Sequence, residues 1–407
     1  MEENAVVTCF LRHGTELLLV RRSDAVGSYR GRWGGVSGDV EGSPEAAARR
    51  EIDEEMGLLE AVEFVWSADP LAVEDADRRT RWLVHPFLFD CSSTAVDPNE
   101  EIADHEWVQP PEILDRATVP RLWDTYRAVA PTVGTAADDD EHGSAYLSVR
   151  ALEVLRDAAA DGDEDLAGLA ADLRAARPSM GVVRNRINRV MADADSPGAV
   201  RERASAACRR ALAADSEAAA EAARRIGDRV LTISRSGTVL GALRQTDPET
   251  VYVAESQPKH EGVGVAEDLA DEVDILLFVD AAVAHVLATE PVDAVLVGAD
   301  SVLADGRVVN KVGTLPAALA ADAAGVDCYA VCAADKVLPT TDVELESGPA
   351  GEVHDGEAVE VLNPTFEVMP SRLFDGLLTE EGALSTAEVA AVADEHAALA
   401  ERAERSE

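Results

Sequence analysis

Lysine is almost missing from this sequence of 407 residues, although lysine and arginine together number 36. The three lysines are Lys259, Lys311 and Lys336, so arginine carries nearly all of the positive charge. Acidic residues number 78, and the formal net charge at pH 7 is −42. Nucleic acids and anionic lipid surfaces attract basic proteins, so this balance argues against nucleic-acid binding and against a membrane-binding face.

Long apolar runs and clustered cysteines are also missing. No run reaches the ~18 apolar residues that a membrane-spanning helix needs. The five cysteines form no C-x-x-C motif, so neither a disulfide framework nor a zinc site is predicted, and the run around Cys328 and Cys332 is typical of a buried strand. The first 20 residues lack a basic region and a cleavage site, so we expect no secretory signal there and a cytoplasmic location with reduced thiols.

The acidic residues are spread through the chain, and 47% of all residues are hydrophobic. This hydrophobic content is too high for a disordered acidic protein, and the length favours two domains. Dense carboxylates combined with scarce lysine resemble the composition of cytosolic proteins from salt-accumulating archaea.

The clearest division lies at GTAADDDEHGS, residues 134–144, where small and acidic residues suit an exposed linker. We therefore predict a first domain over residues 1–133 and a linker over 134–144. An alanine-rich helical region is predicted over 145–226, followed by a ligand-binding part over 227–390.

Residues 1–133 mix strand and helix signals, which predicts an α+β domain. The first two apolar runs predict a β-hairpin around His13 and Gly14, and RRTRWLVHPFLFDC predicts a further strand. Ser43 as N-cap, Pro44 at the first helical position and Gly57 as terminator predict a helix ending at Met56.

After residue 226, short runs rich in valine, isoleucine and leucine recur at 228–234, 250–256, 273–282, 292–300 and 326–334. This spacing predicts a parallel α/β sheet covered on both faces. Polar or glycine residues follow the runs, and ligands bind at that edge of open parallel sheets. We therefore expect Ser234, Glu255, Gly298 and Asp300 to lie in a ligand site.

Three glutamates in the predicted helix, Glu51, Glu54 and Glu55, have the spacing that places them on one face. Like charges so close destabilise a helix unless a cation binds them, and Mg²⁺ and Mn²⁺ prefer such oxygen ligands. The alternative is acidic surface without a metal, since about one residue in five is acidic.

The run from Arg50 to Leu58 follows the pattern R-E-U-x-E-E-x-G-U, where U is aliphatic, and comes after the glycine-rich segment GRWGGVSGDVEG. Residues 4–133 thereby resemble a Nudix hydrolase domain. The resemblance implies hydrolysis of a nucleoside diphosphate derivative, with Mg²⁺ or Mn²⁺ on Glu51, Glu54 and Glu55 and with Arg50 orienting them. Gly38 best matches the opening glycine of the motif. Gly42 stands where the motif has a glutamate, and Glu41 is a possible substitute.

Lys311 and Lys336 each follow a predicted strand end, where an ammonium group is a natural phosphate partner. Their surroundings resemble the initiation factor 2B-related family, which includes subunits of translation initiation factor 2B and two sugar-phosphate isomerases. Four segments carry the resemblance over residues 142–385: ARPSMGVVRNRI (176–187), VYVAESQPKHEG (251–262), VLVGADSVLADGRVVNKVGT (295–314) and NPTFEVMPSRLFDGLLTEEG (363–382). It implies a helical region followed by a Rossmann-like sheet.

The family's isomerases use a cysteine and an aspartate. Asp300 matches the aspartate, whereas Ser234 stands at the cysteine position. Asn310 and Lys311 also keep the ligand edge that the resemblance implies, and Arg177 and Lys336 are further predicted ligand contacts. It is weaker at two places, because His142-Gly143-Ser144 replaces an Arg-Gly-Ala phosphate contact and Gln257 replaces an arginine.

Together these patterns predict a two-domain fusion of a Nudix hydrolase and a domain that binds a phosphorylated sugar or nucleotide and forms a homodimer or higher oligomer. Two alternatives stay open for the second domain. It is either an active isomerase that uses Asp300 with another acid, or a non-enzymatic regulator that acts on translation initiation factor 2.

Overall fold

A computed structural model of the chain describes residues 2–76, 78–139, 142–163, 165–178, 180–356 and 358–406. The chain divides into two compact units. The first contains the residues up to Thr132 together with Arg156–Gly162, and the second contains Val133–Leu155 and the residues from Asp163 onward. Each unit encloses an apolar core of its own.

Among the described residues, the first unit is built on a mixed sheet of eight strands. They are β1 (Glu2–His13), β2 (Glu16–Arg22), β3 (Trp33–Gly34), β4 (Val36–Asp39), β5 (Val62–Ser67), β6 (Leu71–Asp75), β7 (Thr80–Cys91) and β8 (Ile102–Val108). The unit also contains helices α1 (Pro44–Met56) and α2 (Leu122–Arg127) and 3₁₀ turns at Leu59–Ala61 and Pro110–Asp115. β1 pairs in parallel with β7 and antiparallel with β2 and β4.

The predicted hairpin is confirmed by the antiparallel pairing of β1 with β2, in which His13 lies opposite Glu16. Gly14 has φ 61°, a left-handed conformation that glycine adopts without steric strain. The chain can therefore reverse direction between two strands whose apolar residues are buried.

The predicted helix α1 is confirmed together with both of its end signals. The Ser43 side chain accepts a hydrogen bond from the N–H of Ala46 at 3.2 Å. At the other end Gly57 has φ 65°, and its N–H donates to the carbonyl of Asp53 at 2.9 Å. Between these caps Ile52 is fully buried against the sheet, which fixes the orientation of the helix.

The second unit begins with helices. They are α3 (Val133–Asp138), α4 (Ser144–Asp161), α5 (Leu166–Ala176), α6 (Gly181–Met191) and α7 (Pro197–Ala223), and the part of α4 from Arg156 onward belongs to the first unit. The predicted linker differs from the structure, since its first part is helical: alanine favours helix, and Ala136 is buried. Asp140 and Glu141, also in that segment, lie outside the described residues. No described helix is both long and apolar enough to cross a membrane.

The remaining elements of the second unit are strands and helices. The strands are β9 (Arg229–Thr232), β10 (Thr250–Ala254), β11 (Asp274–Phe278), β12 (Ala294–Gly298), β13 (Ser301–Val302), β14 (Val308–Lys311), β15 (Asp327–Val331), β16 (Phe366–Met369), β17 (Gly376–Thr379) and β18 (Gly382–Leu384). The helices are α8 (Gly237–Thr246), α9 (Glu261–Leu269), α10 (Val283–Thr289), α11 (Thr314–Ala324) and α12 (Thr386–Ser406).

In the part of the chain that the structure describes, seven of these strands form one sheet in the order β11-β10-β9-β12-β15-β17-β18. The five predicted runs supply β9 to β12 and β15, and they pair in parallel as predicted. β9 has β10 on one side and β12 on the other. The strands after β9 therefore extend the sheet first to one side and then to the other, and the strand order reverses at β9. In open sheets with such a reversal, ligands bind in a crevice at the carboxyl ends of the strands, and we refer to that edge of this sheet as the crevice.

Strand β11 departs from the prediction of a sheet covered on both faces. Leu276 and Leu277 are 50% and 47% exposed, although they are successive residues and so belong to opposite faces. β11 is the last strand on its side of the sheet among the described residues. Its apolar composition therefore does not reflect burial within this unit.

Candidate functional site

Helix α1 carries the three carboxylates predicted as metal ligands, but at different depths. Glu54 is exposed, Glu51 is half-buried and Glu55 is only 4% exposed. Glu55 is drawn inward because its neighbours on the same helix, such as Ile52, pack into the core. Its Oε2 atom accepts a hydrogen bond from the N–H of Ser37 at 3.3 Å.

The arginine of the motif holds one of these carboxylates in place. Nη2 of Arg50 donates to Oε1 of Glu51 at 2.8 Å and to the carbonyl of Asp39 at 3.1 Å. Gly38 leaves the space that the Glu51 carboxylate fills. Gly42 has φ 85°, so the residue that replaces the motif's glutamate serves a left-handed turn.

The negative charges of the two inner carboxyl groups, Glu51 and Glu55, are poorly neutralised by neighbouring groups. Burial raises the pKa of Glu55 to about 8, a hydrogen bond from Ser37 lowers it, and the charge of Glu51 raises it further. Burial also raises the pKa of Glu51, against the hydrogen bond from Arg50 that lowers it. A bound cation would stabilise the charged form of both groups.

The three carboxylates nevertheless do not converge on one point where a metal ion could bind. Within the described ranges, no three His, Cys, Asp or Glu side chains form a group that could hold a metal ion. Glu54 is exposed and Glu51 is engaged by Arg50, so the trio shares a helix face without meeting at one point. Carboxylate oxygens suit Mg²⁺ and Mn²⁺ in their chemistry, and the ligand set stays a prediction.

A fourth carboxylate belongs to this cluster and was missed by sequence reasoning. The charge of Glu101 raises the pKa of both Glu51 and Glu55. Glu101 directly precedes β8. In the sequence, the acidic pair that it forms with Glu100 is the feature that could have indicated it. In so acidic a chain that signal does not stand out.

The crevice of the second unit begins at two serines that follow β9 and β10. Ser234 and Ser256 have φ 59° and 63°, and the N–H of Ser234 donates to the Ser256 hydroxyl at 2.7 Å. The N–H of Ser256 in turn donates to Asp280 at 2.8 Å. Left-handed backbone at residues other than glycine costs about 1–3 kcal/mol each and is concentrated at functional sites.

Glu261, the first residue of α9, connects two of the predicted site residues. Its Oε2 accepts a hydrogen bond from the Ser234 hydroxyl at 2.5 Å, and its Oε1 lies 2.7 Å from Nζ of Lys311. Sequence reasoning missed Glu261, although it follows Lys259 by two residues in a segment singled out there. The pairing depends on three distant parts of the chain, so spacing alone could not indicate it.

Asp300 lies next to this cluster, after the end of β12. Burial raises the pKa of its carboxyl, the charges of Lys336 and Lys311 lower it, and Glu261 raises it. Gly298 is required here, since a Cβ atom at that position would lie 2.8 Å from the Cβ of Ser236. The end of β12 and the start of α8 are therefore in close contact.

Two further residues that were predicted to contact a ligand are buried and form hydrogen bonds with other residues of the unit. Asn310 donates to the Thr314 hydroxyl at 3.0 Å, and Lys336 donates from Nζ to the carbonyl of Ala299 at 2.6 Å. Both residues are less than 10% exposed. In this structure they hold the loops around Asp300.

The last two predicted residues, Glu255 and Arg177, have other partners. Glu255 is 3.6 Å from the ring of His260, at the turn before α9. Arg177 donates to the carbonyl of Ala136 at 3.1 Å and also to the carbonyl of Asp139. Arg177 thus binds the backbone of α3 and the residue after it, whereas Ser234 and Lys311 contact Glu261 and Asp300 is within electrostatic range of it.

Curated proteins and solved structures are similar to part of the chain. Methylthioribose-1-phosphate isomerase 1 of Trypanosoma cruzi is 32% identical in an alignment of 176 residues, gaps included, that covers 38% of this chain and 47% of that protein. The chain spans about half the length of the curated relatives it matches. Translation initiation factor eIF-2B of Pyrococcus horikoshii OT3 has a TM-score of 0.56 at 27% identity, covering 62% of this chain and 94% of that one.

The 5-methylthioribose 1-phosphate isomerase of Pyrococcus horikoshii OT3 shares the fold, with a TM-score of 0.53 at 18% identity over 74% of this chain and 90% of that one. A family model for the NUDIX domain matches residues 1–129. The model of the initiation factor 2 subunit family matches residues 140–386, which is more than half of the chain. The chain therefore belongs to the initiation factor 2 subunit family and carries a NUDIX domain in its first 129 residues.

Proposed function

We propose that the NUDIX domain is a hydrolase of a nucleoside diphosphate derivative that depends on Mg²⁺ or Mn²⁺. The observation that carries the proposal is the pairing of the half-buried Glu51 with the buried Glu55 on one helix face, where burial raises the pKa of both carboxyl groups. Held by Glu51, Glu54 and Glu55, the cation would polarise the pyrophosphate and activate a water molecule.

The protein's own residues position these carboxylates. Arg50 fixes Glu51 through a hydrogen bond of 2.8 Å. The N–H of Ser37 fixes Glu55, and the buried face of α1 keeps water away from it. Such prior positioning lowers the entropy that the reaction must lose.

Glu54→Gln tests this proposal, because the residue is exposed and its loss should leave the fold intact. We expect hydrolysis of nucleotide substrates with Mg²⁺ at molar KCl to fall at least ~100-fold. Asp53→Asn, on the same helix and also exposed, is the matched control and should keep its activity. Retention of more than about a tenth of the activity by Glu54→Gln would contradict the metal assignment.

For the second domain we propose binding of a phosphorylated sugar or nucleotide without isomerisation. Its relative in Trypanosoma cruzi is named as an isomerase of methylthioribose 1-phosphate, and the resemblance places a cysteine where this chain has Ser234. An alcohol exchanges protons near neutral pH far less readily than a thiol of pKa ~8.5. Binding does not need that thiol, and the crevice keeps Asp300, Asn310 and Lys311.

Incubation of the full chain with ribose 1,5-bisphosphate separates binding from isomerisation. We expect no ketose product, while a phosphorylated sugar raises the melting temperature of the domain. Rapid formation of the ketose would show that another residue supplies the acid and would favour the isomerase alternative.

A second candidate function is regulation of translation, since the likeness to eIF-2B covers 94% of that chain at 27% identity. Under this candidate the domain forms a homodimer and binds translation initiation factor 2. Co-purification of that factor from cells of the same source in molar KCl, together with sedimentation of the pure protein, tests both parts. A monomer that retains no factor would remove this candidate.

A further inference from the structure

Lys311, the lysine most suited to bind a phosphate, already faces a carboxylate. Its Nζ lies 2.7 Å from Oε1 of Glu261, and the two side chains are 12% and 25% exposed. The other oxygen of Glu261 accepts the Ser234 hydroxyl at 2.5 Å. The positive charge at this point of the crevice is therefore compensated before any ligand arrives.

This pairing changes which chemical groups the position favours. A phosphate that approaches Lys311 also approaches Glu261, and close like charges cost several kcal/mol at a binding surface. Asp300 adds a second carboxyl group within electrostatic range of Glu261. A sugar hydroxyl meets no such repulsion, since it can donate to the carboxylate and accept from the ammonium group.

We propose that the Glu261–Lys311 pair binds the hydroxyl-bearing part of the ligand and disfavours phosphate there. The second domain then takes a sugar monophosphate in preference to the corresponding bisphosphate. Glu261 is the residue that determines this specificity. The inference rests on the proposed ligand binding by the second domain and adds which end of the ligand faces the pair.

Calorimetric titration of the full chain with ribose 5-phosphate and with ribose 1,5-bisphosphate tests the preference, in EDTA so that hydrolysis does not interfere. We expect the wild-type protein to bind the monophosphate at least ~10-fold more tightly. Glu261→Gln keeps the shape of the side chain and removes its charge, so the preference should vanish or reverse. Glu267→Gln, which removes the same charge from an exposed position of α9, should keep it.

The outcomes separate the inference from the function on which it rests. If Glu261→Gln binds both sugars with the wild-type preference, the inference is wrong although the domain binds phosphorylated sugars. If the wild-type protein binds neither sugar, the proposed function and the inference both fail. Should Glu261→Gln not fold, Glu261→Ala provides a second neutral variant, and Glu261→Asp should retain the preference.

Discussion

The carboxylate of Glu51 lies against the α-carbon of Gly38, so closely that a Cβ atom on residue 38 would come within 2.1 Å of Cδ of Glu51. The glycine is therefore part of the candidate metal site although it contributes no side chain. Any larger residue must displace the carboxylate that Arg50 holds.

We expect Gly38→Ala to lower hydrolysis of a nucleotide substrate by roughly 100-fold, because a displacement of about 1 Å at a catalytic group can have that effect. The melting temperature should change little, since the displaced atoms are the far end of a flexible side chain. Gly27→Ala is the control, as no atom lies within 4 Å of the Cβ position there. Equal hydrolysis rates for the two variants would argue against a role for Glu51.

The carboxylate of Asp335 joins two arginines in the second unit. It accepts hydrogen bonds from Nε of Arg186 and Nη2 of Arg189, both at 3.1 Å, and is itself 5% exposed. Asp335→Asn should lower the free energy of unfolding by about 3 kcal/mol, because it removes the carboxylate that pairs with the buried guanidinium of Arg186, whereas Arg189 keeps its ion pair with Glu395. Chemical denaturation measures this change. Asp342→Asn, which alters an exposed acid nearby in sequence, should have almost no effect.

His396 is held neutral by its two partners. Nδ1 lies 2.7 Å from the carbonyl of Val337 and Nε2 lies 3.1 Å from Nη2 of Arg189. A carbonyl only accepts and a guanidinium only donates, so the proton is on Nδ1. Burial lowers the pKa of His396, whereas the hydrogen bond to Val337 and the charge of Asp335 raise it and Arg189 lowers it. Glu395 faces the same group and also raises the pKa.

Stability of the second unit should therefore fall as the pH is lowered from 7.5 to 5.5. Below a pH of about 6.5 the unfolded chain binds a proton at His396 that the folded chain excludes, so protonation favours unfolding by at most ~1.4 kcal/mol per pH unit. Melting curves across this range should be less steeply pH-dependent in His396→Asn than in His285→Asn, whose residue is exposed on α10. Identical pH dependence in the two variants would contradict the assignment.

Stability should also depend on salt, because the net charge of −42 repels itself. The screening length shortens from ~30 Å at 0.01 M to ~3 Å at 1 M salt. We therefore expect the melting temperature to rise from tenths molar to molar KCl. A melting temperature that stays constant with KCl concentration would show that the fold does not need its negative charges to be screened.

Local signals made much of the fold predictable. The helix between Ser43 and Gly57 follows from its two caps, and the hairpin at Gly14 follows from two apolar runs on either side of a turn. Strand β11 shows the limit, since an apolar run indicates a strand but does not reveal that it lies at a sheet edge with Leu276 exposed.

The candidate sites likewise combine features that the sequence predicts with features that it does not. The spacing of Glu51, Glu54 and Glu55 predicts a shared helix face, because i, i+3 and i+4 fix it. The contact of Glu261 with Lys311 joins residues 50 positions apart. Such a contact depends on how α9 and β14 meet in space, which composition and spacing do not encode.

The scarcity of lysine makes one position of this protein chemically unique. Lys311 and Lys336 are largely buried, whereas Lys259 is exposed in the turn before α9, and no other lysine exists in the sequence. An amine-reactive fluorophore should therefore attach to side chains almost exclusively at Lys259. It would be two residues from Glu261, so its emission offers a direct optical signal of events in the crevice without any engineered label.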